Sequence, residues 1–395
     1  MASIKLQGDN SGTLTIEAPS DAGNNTITLP ATTQTLATQN ALGVRNLIIN
    51  GDMRIAQRGT SVSGITSSAY HTIDRYYTVY TTGGTWTQSQ DTDAPNGFSS
   101  SLKMSCTTAN ASLSANSRLY ITTRLEGQNL QHLKFGTSSA EKITLSFWVK
   151  SNKTGTYTIS YYNADNAKAN GKTYTINTAD TWEKKTITID GDTASGFDND
   201  NNYSLAVYFW MLAGTDWTSG TFDNGTWNSY VQANFCSSSQ VNLADSTSNY
   251  INITGVQLEV GDTATPFEHR PWDMELARCQ RYYEKSYDYG DAPGSNVGAT
   301  GMTFGHYGGP SGANYRYSES FRVTKRIGPT MLGWDAVGNA NKMSAFNTGN
   351  ARTDNYGTGS RLVGASSTYN FHIREANLAT DERSFGTHWT ADAEL

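Results

Sequence analysis

One loop rich in aromatic and polar residues is the segment best suited to binding chemistry. In AGTDWTSGTFDNGTWNSY (213–230), Trp217, Phe222, Trp227 and Tyr230 are separated by Gly, Asn, Asp, Ser and Thr rather than by aliphatic residues. An aromatic ring can cover the apolar C–H face of a sugar while amide and carboxylate groups beside it bond the hydroxyls. These four residues are therefore candidate glycan contacts. Alternatively, the rings hold the loop against the sandwich or against a neighbouring subunit.

Two further candidates lie near the end of the chain, in FGTHWTADAEL (385–395). His388 beside Trp389 could contact a ligand, or both side chains could pack within a C-terminal strand. The six histidines of the chain are isolated, and none pairs with another at a metal-ligand spacing. The spacing of the histidines therefore indicates no metal centre.

Acidic residues in loop-like segments suggest two other chemistries. A glycosidase needs two carboxylates about 5–10 Å apart, and a loop calcium site needs several oxygen ligands. Acidic residues in Gly- and Asn-rich loops are usually turn formers, and their spacing here resembles no EF-hand. The candidates are Asp190, Asp192, Asp198, Asp200, Asp216 and Asp223.

Motifs and charge disfavour several function classes. The sequence contains no HExxH, no P-loop, no GxGxxG after a strand and no GxSxG elbow, so we expect no enzymatic activity and no cofactor. A formal net charge of −6 offers no basic field to a phosphate backbone, which makes nucleic acid a poor partner. No stretch approaches the roughly 18 apolar residues of a membrane span, and the N-terminus lacks a signal-peptide pattern.

Composition predicts an all-β fold. Charged residues make up 16% of the chain, below the usual value of about 25%. Abundant Ser, Thr, Asn and Gly disfavour long helices and favour short strands joined by tight turns. Three cysteines are too few and too scattered for a disulfide framework or a zinc site. Cys106 and Cys236 lie in strand-like runs and are predicted to be buried thiols.

Patterning along the chain predicts four zones. Residues 1–43 carry a hairpin signal in Thr13–Glu17 and Thr26–Leu29, and we expect this zone to anchor or trimerise because an isolated hairpin is marginal in water. Residues 44–270 are predicted to form a jelly-roll β-sandwich. Its strand candidates are Leu47–Ile49, Arg75–Tyr80, Ser101–Cys106, Tyr120–Leu125, Ile143–Lys150, Gly155–Tyr162, Thr173–Ile176, Glu183–Ile189, Ser204–Met211 and Tyr250–Val260.

The last two zones are a helix and a second β domain. Residues 271–289 are predicted to be a linking helix, with Asp273 as N-cap and MELARCQRYYEKS (274–286) continuing it. Residues 290–395 return to Gly-, Asn- and Tyr-rich sequence, which predicts a smaller C-terminal β-sandwich forming the tip of the molecule.

Several segments resemble proteins of tailed bacteriophages. NLIINGDMRIAQRGTS (46–61), YHTIDRYY (70–77), ITGVQLEVGDTATPFEHRPWDMELARCQRYYEKS (253–286) and HWTADAEL (388–395) resemble segments of tail-fibre, receptor-binding and head-fibre proteins. IKLQGDNSGTLTIEAPSDAGNNTITLPATTQTLAT (4–38) resembles the start of such proteins in marine phages. ITLSFWVKSNKTGTYTISYY (143–162) and TYTINTADTWEKKTITI (173–189) are similar to carbohydrate-binding jelly-roll modules.

The resemblance implies a virion protein with a sugar-binding type of fold, assembled in the host cytoplasm, and it does not imply enzymatic activity. The favoured expectation is a homotrimeric tail fibre that attaches to host cell-surface polysaccharide, with residues 1–43 joined to the tail adaptor, the tail tube or capsid proteins. The alternatives are a head fibre or capsid decoration protein, and a polysaccharide depolymerase. Depolymerases commonly rely on β-helices with regular rungs, and the sequence shows no such period.

The resemblance also implies a place for a structural calcium ion. In the carbohydrate-binding modules an acidic residue early in the domain often holds this ion, and Asp52 is the nearest match. The following Met53-Arg54 and the pair Gly255-Val256 depart from the family pattern.

Overall fold

The protein is described by a computed structural model that covers most of the chain in two compact units, Met1–Leu42 and Gly43–Leu395. The described residues are 3–7, 13–17, 45–306, 314–347, 352–356, 363–365, 367–376 and 382–395.

The first unit contains an antiparallel pair of strands, β1 (Ser3–Gln7) and β2 (Thr13–Glu17). The predicted strand at Thr13–Glu17 is confirmed. Its partner in the structure is β1, whereas the predicted partner Thr26–Leu29 lies outside the described residues. The sequence Gly-Asp-Asn-Ser-Gly between the two strands has the composition of a hairpin connection, a signal that the prediction overlooked.

The second unit begins with two antiparallel sheets. A seven-stranded sheet has the order β14-β11-β10-β13-β8-β5-β4, and a six-stranded sheet has the order β12-β9-β15-β7-β6-β3. In chain order these strands are β3 (Ser61–Ile65), β4 (Ala69–Tyr70), β5 (Tyr77–Tyr80), β6 (Thr85–Asp91), β7 (Ser101–Thr108), β8 (Arg118–Glu126), β9 (Ile143–Ser151), β10 (Gly155–Asn163), β11 (Lys168–Ile176), β12 (Glu183–Ile189), β13 (Tyr203–Ala213), β14 (Asn228–Ser229) and β15 (Tyr250–Val260).

The two sheets pack face to face and the chain crosses repeatedly between them, as in a jelly roll. On β9, Ile143, Leu145, Phe147 and Val149 are fully buried on the face predicted from their alternation. Phe147 meets Phe209 of the opposite sheet edge-on, with ring centroids 5.3 Å apart. The predicted all-β class is thereby confirmed.

The predicted strand Leu47–Ile49 is wrong. This segment is irregular because asparagine side chains accept hydrogen bonds from backbone amides that a neighbouring strand would otherwise bond. Asn46 Oδ1 accepts a hydrogen bond from the Ile48 amide at 2.9 Å, and Asn50 Oδ1 accepts one from the Ile55 amide at 2.9 Å. The strand predicted at Arg75–Tyr80 begins at Tyr77, because Arg75 has a φ of 73°.

Helices are few among the described residues. A single turn, α1 (Thr215–Thr218), follows β13, and α2 (Trp272–Gln280) follows the sandwich. The 3₁₀ turns are Gly127–Asn129, Gln131–Leu133, Gln232–Asn234 and Leu243–Asp245. The helix predicted over residues 271–289 ends at Gln280, and Pro271 occupies the N-cap position predicted for Asp273. Tyr283–Lys285 instead form a strand, because pairing with the end of the chain overrides their helix propensity.

The C-terminal part of the second unit is a smaller pair of sheets. Its strands are β16 (Tyr283–Lys285), β17 (Thr303–His306), β18 (Asn314–Ser320), β19 (Thr330–Trp334), β20 (Met343–Asn347), β21 (Arg352–Tyr356), β22 (Val363–Ala365), β23 (Asn370–Ala376) and β24 (Glu382–Asp392). The long β24 pairs with β16, β17, β19 and β20, whereas β18, β23 and β22 form a second sheet. Phe385 and Trp389 from the first sheet share a core with Phe371 and Ile373 from the second. The predicted smaller sandwich is confirmed.

Four of the segments that carry the phage resemblance (46–61, 70–77, 253–286 and 388–395) meet in a buried polar network, here called the junction (residues 46–58, 72–76, 126, 268–284 and 392–394). Arg270 donates to the Ile48 carbonyl at 3.0 Å and pairs with Glu275 at 3.2 Å. Glu275 in turn accepts a hydrogen bond from the Asn50 amide. Gln57 reaches across from its loop to the Tyr283 carbonyl at 2.7 Å.

The end of β24 closes the junction from the other side. The Arg75 guanidinium lies 3.5 Å above the Tyr282 ring and pairs with Glu394. Arg281 pairs with Glu126 of β8 at 2.8 Å. Through these contacts the sandwich, α2 and the C-terminal strands form a single compact unit.

Candidate glycan-binding face

The aromatic loop singled out in the sequence lies across the outer face of the seven-stranded sheet. Trp217 leaves 6% of its surface exposed and packs on Trp210, with ring centroids 5.6 Å apart. Further along the loop, the Phe235 carbonyl accepts a hydrogen bond from Ser160 Oγ at 2.5 Å. Trp217 therefore pins the loop to the sheet and has no free ring face for a sugar, which corrects its assignment as a glycan contact.

The other three loop aromatics are half-buried. The Phe222 ring covers the backbone of Gly171, where an added Cβ would approach it to 2.6 Å. Trp227 donates through Nε1 to the Asp190 carbonyl at 2.8 Å. Tyr230 meets Tyr162 of β10 edge-on at 5.3 Å. Each ring is partly occupied in holding the loop, and the glycan role of these three residues stays a prediction.

His388 and Trp389 are core residues in β24. His388 is fully buried, stacks on Tyr287 at 4.1 Å and has Nε2 2.9 Å from the Gly298 carbonyl. Burial lowers the pKa of His388. Trp389 is 4% exposed and donates through Nε1 to Thr303 Oγ1 at 2.8 Å. The structure therefore supports the packed-strand alternative and corrects their assignment as glycan contacts.

The calcium position implied for Asp52 does not fit the residues around it. Asp52 is 4% exposed and its carboxylate pairs with Arg54. Arg270 and Glu275, already paired with each other, line the same small cavity. Two guanidinium groups at this place oppose a divalent cation, because they supply positive charge where the ion would need oxygen ligands. Burial is the main cause of the raised pKa of Asp52.

Several acidic loop residues bond turns, as their context predicts. Asp192 Oδ1 accepts a hydrogen bond from the Ala194 amide at 2.8 Å, and Asp200 Oδ1 accepts one from the Asn202 amide at 2.9 Å. Asp223 is bonded to Asn228 at 2.9 Å, and burial raises its pKa. Within the described part of the chain, no three His, Cys, Asp or Glu residues are grouped to hold a metal ion.

A second set of residues, which the sequence reading did not single out, lines the same sheet face beside Tyr230 of the loop. We call this surface the tyrosine face. Its strand residues are Tyr77, Tyr120, Thr122, Arg124, Tyr162, Tyr203 and Tyr208, and Tyr230 completes it. The residues of β8 and β13 alternate with core residues such as Ile121 and Val207, so they point away from the sandwich core. That alternation of tyrosine with aliphatic residues was the available sequence signal.

The rings of the tyrosine face form a continuous floor. Tyr120 meets Tyr208 at 5.0 Å and Tyr162 meets Tyr203 at 6.4 Å, measured between centroids. The Arg124 guanidinium lies 4.8 Å from the Tyr77 ring and 5.2 Å from the Tyr203 ring. Stacking between two rings holds the cation in a defined position.

Two polar groups in this floor have no hydrogen-bond partner. Thr122 is fully buried between Tyr77 and Tyr208 in the strand register, and its Oγ1 is unpartnered. Arg124 Nε is also buried and unpartnered. Both atoms are buried, so they are enclosed within the floor and are not presented at its surface.

Four of the tyrosine hydroxyls are held in the neutral form by burial. Burial raises the pKa of Tyr203 to about 12, and it also raises the pKa values of Tyr120, Tyr208 and Tyr230. A neutral hydroxyl both donates and accepts hydrogen bonds. The face therefore offers ring surface together with two-way hydrogen bonding, which is what a sugar requires.

Comparison with known proteins finds similarity only to solved structures, and that similarity is low. No protein-family model and no curated protein matches the chain. The chain is similar to the enzymatically active domain of tailspike protein 4 of bacteriophage CBA120, with 14% identity and a TM-score of 0.27. That match covers 54% of this chain and only 21% of the tailspike chain.

Two carbohydrate-binding modules match over almost their whole length. One is the family 11 module of Clostridium thermocellum in complex with a β-1,3-1,4-mixed-linked tetrasaccharide, with 9% identity, coverage of 52% of this chain and 99% of the module, and a TM-score of 0.26. The other is TmCBM61 in complex with β-1,4-galactotriose, with 10% identity, coverage of 55% of this chain and 99% of the module, and a TM-score of 0.25.

No helix of the described residues is both long and apolar enough to cross a membrane.

Proposed function

We propose that this protein binds glycans through the tyrosine face and does not cleave them. The observation that carries the proposal is the set of outward-facing tyrosine rings, with half-buried Tyr77 and Tyr203 on either side of Arg124. Apolar C–H patches of a sugar would lie on the rings, while its hydroxyls would bond the tyrosine hydroxyls.

The biological setting that fits best is the virion of a tailed bacteriophage, in which the chain is a homotrimeric tail fibre attaching to host cell-surface polysaccharide. The support is the sequence resemblance of residues 4–38, 46–61, 70–77, 253–286 and 388–395. In this proposal residues 1–43 join the fibre to the tail adaptor or tube. Weak binding at each copy is sufficient, because several linked sites raise attachment about 10²–10⁴-fold.

Binding is tested with purified protein and host polysaccharide, using Tyr203→Ala and Tyr77→Ala. We expect each variant to bind about fivefold more weakly, because the stacking of a sugar on one aromatic ring contributes roughly 1 kcal/mol. Tyr369→Ala is the matched control, since Tyr369 is 61% exposed and lies in the smaller sandwich. Unchanged binding by both tyrosine-face variants would refute this assignment of the face.

The remaining parts of the proposal have separate tests. New reducing ends after incubation with host polysaccharide would make the protein a depolymerase and overturn the non-enzymatic assignment. Light scattering should give the mass of three chains. Imaging of virions labelled at the C-terminus should place the label on the tail, whereas label on the capsid would favour the alternative of a head fibre or decoration protein.

A further inference from the structure

The outer face of the six-stranded sheet carries another group of aromatic and charged side chains, on the opposite side of the sandwich from the tyrosine face. We call it the tryptophan face, and its residues are Asp93, Lys103, Trp148, Lys150, Trp182 and Tyr250. Lys103 alternates with the core residues of β7, and Trp148 and Lys150 alternate with those of β9, so they point outward. All six residues are partly exposed.

Two rings of the tryptophan face are each held by a carboxylate. Trp182 Nε1 donates to Asp93 Oδ1 at 3.0 Å, and the Tyr250 hydroxyl donates to Asp180. The Lys103 ammonium lies 5.1 Å from the centroid of the Tyr250 ring. Trp182 immediately precedes β12 and Tyr250 begins β15, and these strands flank β9, so the backbones that carry the two rings are about 10 Å apart. Both rings are therefore positioned before a ligand binds, which lowers the ordering cost of binding.

The charges of the tryptophan face compensate one another in ion pairs that remain open to solvent. Lys150 pairs with Asp93 at 2.6 Å, and Lys103 pairs with Asp91 at 2.9 Å. The Asp93 side chain is 40% exposed and the Lys103 side chain is 31% exposed, so each has room to bond a group at the surface. Burial of Asp93 opposes its ionisation, but hydrogen bonds from Lys150 and Trp182 outweigh this effect and lower the pKa of Asp93. The two pairs therefore offer an exposed acceptor and an exposed donor without net charge.

The composition of this sheet face does not suit a protein partner. In β6, β7, β9 and β12 the residues that alternate with the core are Ser, Thr, Lys, Asp and Trp, and none of them is aliphatic. The centres of protein–protein interfaces are depleted of Lys, Asp and Ser. A sugar needs ring surface beside groups that donate and accept hydrogen bonds. The chemistry of the tryptophan face therefore matches a glycan better than a second protein chain.

We propose that the tryptophan face is a second glycan-binding site, which takes an uncharged stretch of polysaccharide. Sugar rings would stack on Trp182 and Tyr250, while sugar hydroxyls would donate to Asp93 and accept from Lys103. An uncharged stretch fits because the lysines and aspartates already neutralise one another. The site goes beyond the proposed function, since it lies on the other sheet and does not need the tyrosine face. With a site on each side of the sandwich, one chain would hold two polysaccharide strands at once.

The test is binding of the full chain to an array of uncharged oligosaccharides of glucose, galactose, mannose and N-acetylglucosamine. In a variant with both Tyr77→Ala and Tyr203→Ala, which disables the tyrosine face, we expect binding to at least one member to remain. Adding Trp182→Ala or Tyr250→Ala should weaken that remaining binding about fivefold. Trp272→Ala is the matched control and should change nothing, because Trp272 is 42% exposed and lies on α2.

The second site and the tyrosine face fail in different ways. Loss of all binding in the double tyrosine variant, or wild-type binding to host polysaccharide but to no uncharged member, would overturn the second site and leave the proposed function intact. Residual binding that survives both Trp182→Ala and Tyr250→Ala would also overturn it. Wild-type affinity in the double tyrosine variant, lost with Trp182→Ala, would overturn the tyrosine face instead.

A conservative variant separates ligand contact from an effect on the fold. Trp182→Phe keeps an aromatic ring on the tryptophan face but removes the hydrogen bond to Asp93. It should therefore restore most of the binding that Trp182→Ala loses. A Trp182→Phe variant as weak as Trp182→Ala would show that Trp182 acts by holding Asp93 rather than by stacking on a sugar, and it would overturn the proposed contact.

Discussion

The junction and the tyrosine face are built from the same residue types, arginine over tyrosine, and differ in how the charge is compensated. In the junction Arg75 lies over Tyr282 and pairs with Glu394, and Arg270 pairs with Glu275. On the tyrosine face Arg124 lies between Tyr77 and Tyr203 and donates to the Leu395 oxygen, and no Asp or Glu side chain of the described residues pairs with it. The junction therefore holds its arginines with buried carboxylates, whereas the face holds Arg124 with rings that are themselves half-exposed.

The difference separates stability from binding. A buried ion pair that loses one member leaves an uncompensated charge in a low dielectric, which is strongly destabilising. A half-exposed ring or hydroxyl on the tyrosine face is solvated when no ligand is bound. Removing such a group should therefore weaken binding and leave the free energy of unfolding nearly unchanged. Substitutions in the junction should therefore lower stability, and substitutions on the tyrosine face should lower affinity.

The largest effect is expected for Glu275→Gln in the junction. Because Arg270 and the Asn50 amide both bond Glu275, we expect the free energy of unfolding to fall by about 4 kcal/mol. Urea denaturation measures this change. The control is Asp190→Asn, whose exposed carboxylate pairs with Lys142 at 3.0 Å and should change stability by no more than about 0.5 kcal/mol. Similar losses in both variants would contradict the comparison.

The next largest effect is expected for Trp217→Ala. This ring is buried on Trp210, and its removal should lower the free energy of unfolding by about 3 kcal/mol. Trp227→Ala should cost less, because the Trp227 ring is half-buried. Thermal unfolding of the two variants compares them directly. If Trp217→Ala were as stable as the wild type, this ring would not pin the loop.

An effect of about 2 kcal/mol is expected from Asp74 as the pH changes. Asp74 is fully buried and accepts hydrogen bonds from Gln57, and burial raises its pKa to about 6. A carboxyl whose pKa is raised on folding stabilises the protein below about pH 4, and this contribution is lost as the pH rises through about 6. The stability of wild type relative to Asp74→Asn should therefore decrease from pH 4 to pH 7. A difference that stays constant over this range would show that Asp74 does not titrate there.

The smallest effect is expected for Tyr203→Phe on the tyrosine face. This substitution keeps the ring over Arg124 and removes only a hydroxyl, which lies 3.4 Å from the Tyr208 hydroxyl. We expect glycan affinity to fall about threefold with an unchanged urea midpoint. Calorimetric titration with the polysaccharide provides the affinity. A loss of stability without a loss of affinity would place Tyr203 with the junction rather than with the binding surface.

Local pattern predicted much of the strand framework. The strands Glu183–Ile189 and Tyr250–Val260 have the predicted bounds, and the alternation from Ile143 to Val149 identified a core face. Cys106 and Cys236 are buried thiols as predicted. These features were predictable because burial of one face of a strand selects residues with a period of two.

The candidate site was predicted less well. Sequence reasoning selected Trp217 because polar residues surround it, but the structure buries that ring. It overlooked Tyr120 and Tyr208. These residues lie in strands of core-like sequence, but they line the outer face of the sheet, away from the sandwich core. The pattern within a strand identifies two faces but does not say what covers each of them.

By itself the sequence determined the all-β class and the positions of most of the longer strands in the sandwich, because these depend on neighbouring residues along the chain. Only the tertiary structure decided that residues of the loop such as Trp217 and Phe235 pack on the outer sheet face, and that Tyr283–Lys285 join β24 rather than extend α2. Those choices arise between segments far apart in sequence, where burial of distant surfaces outweighs local propensity.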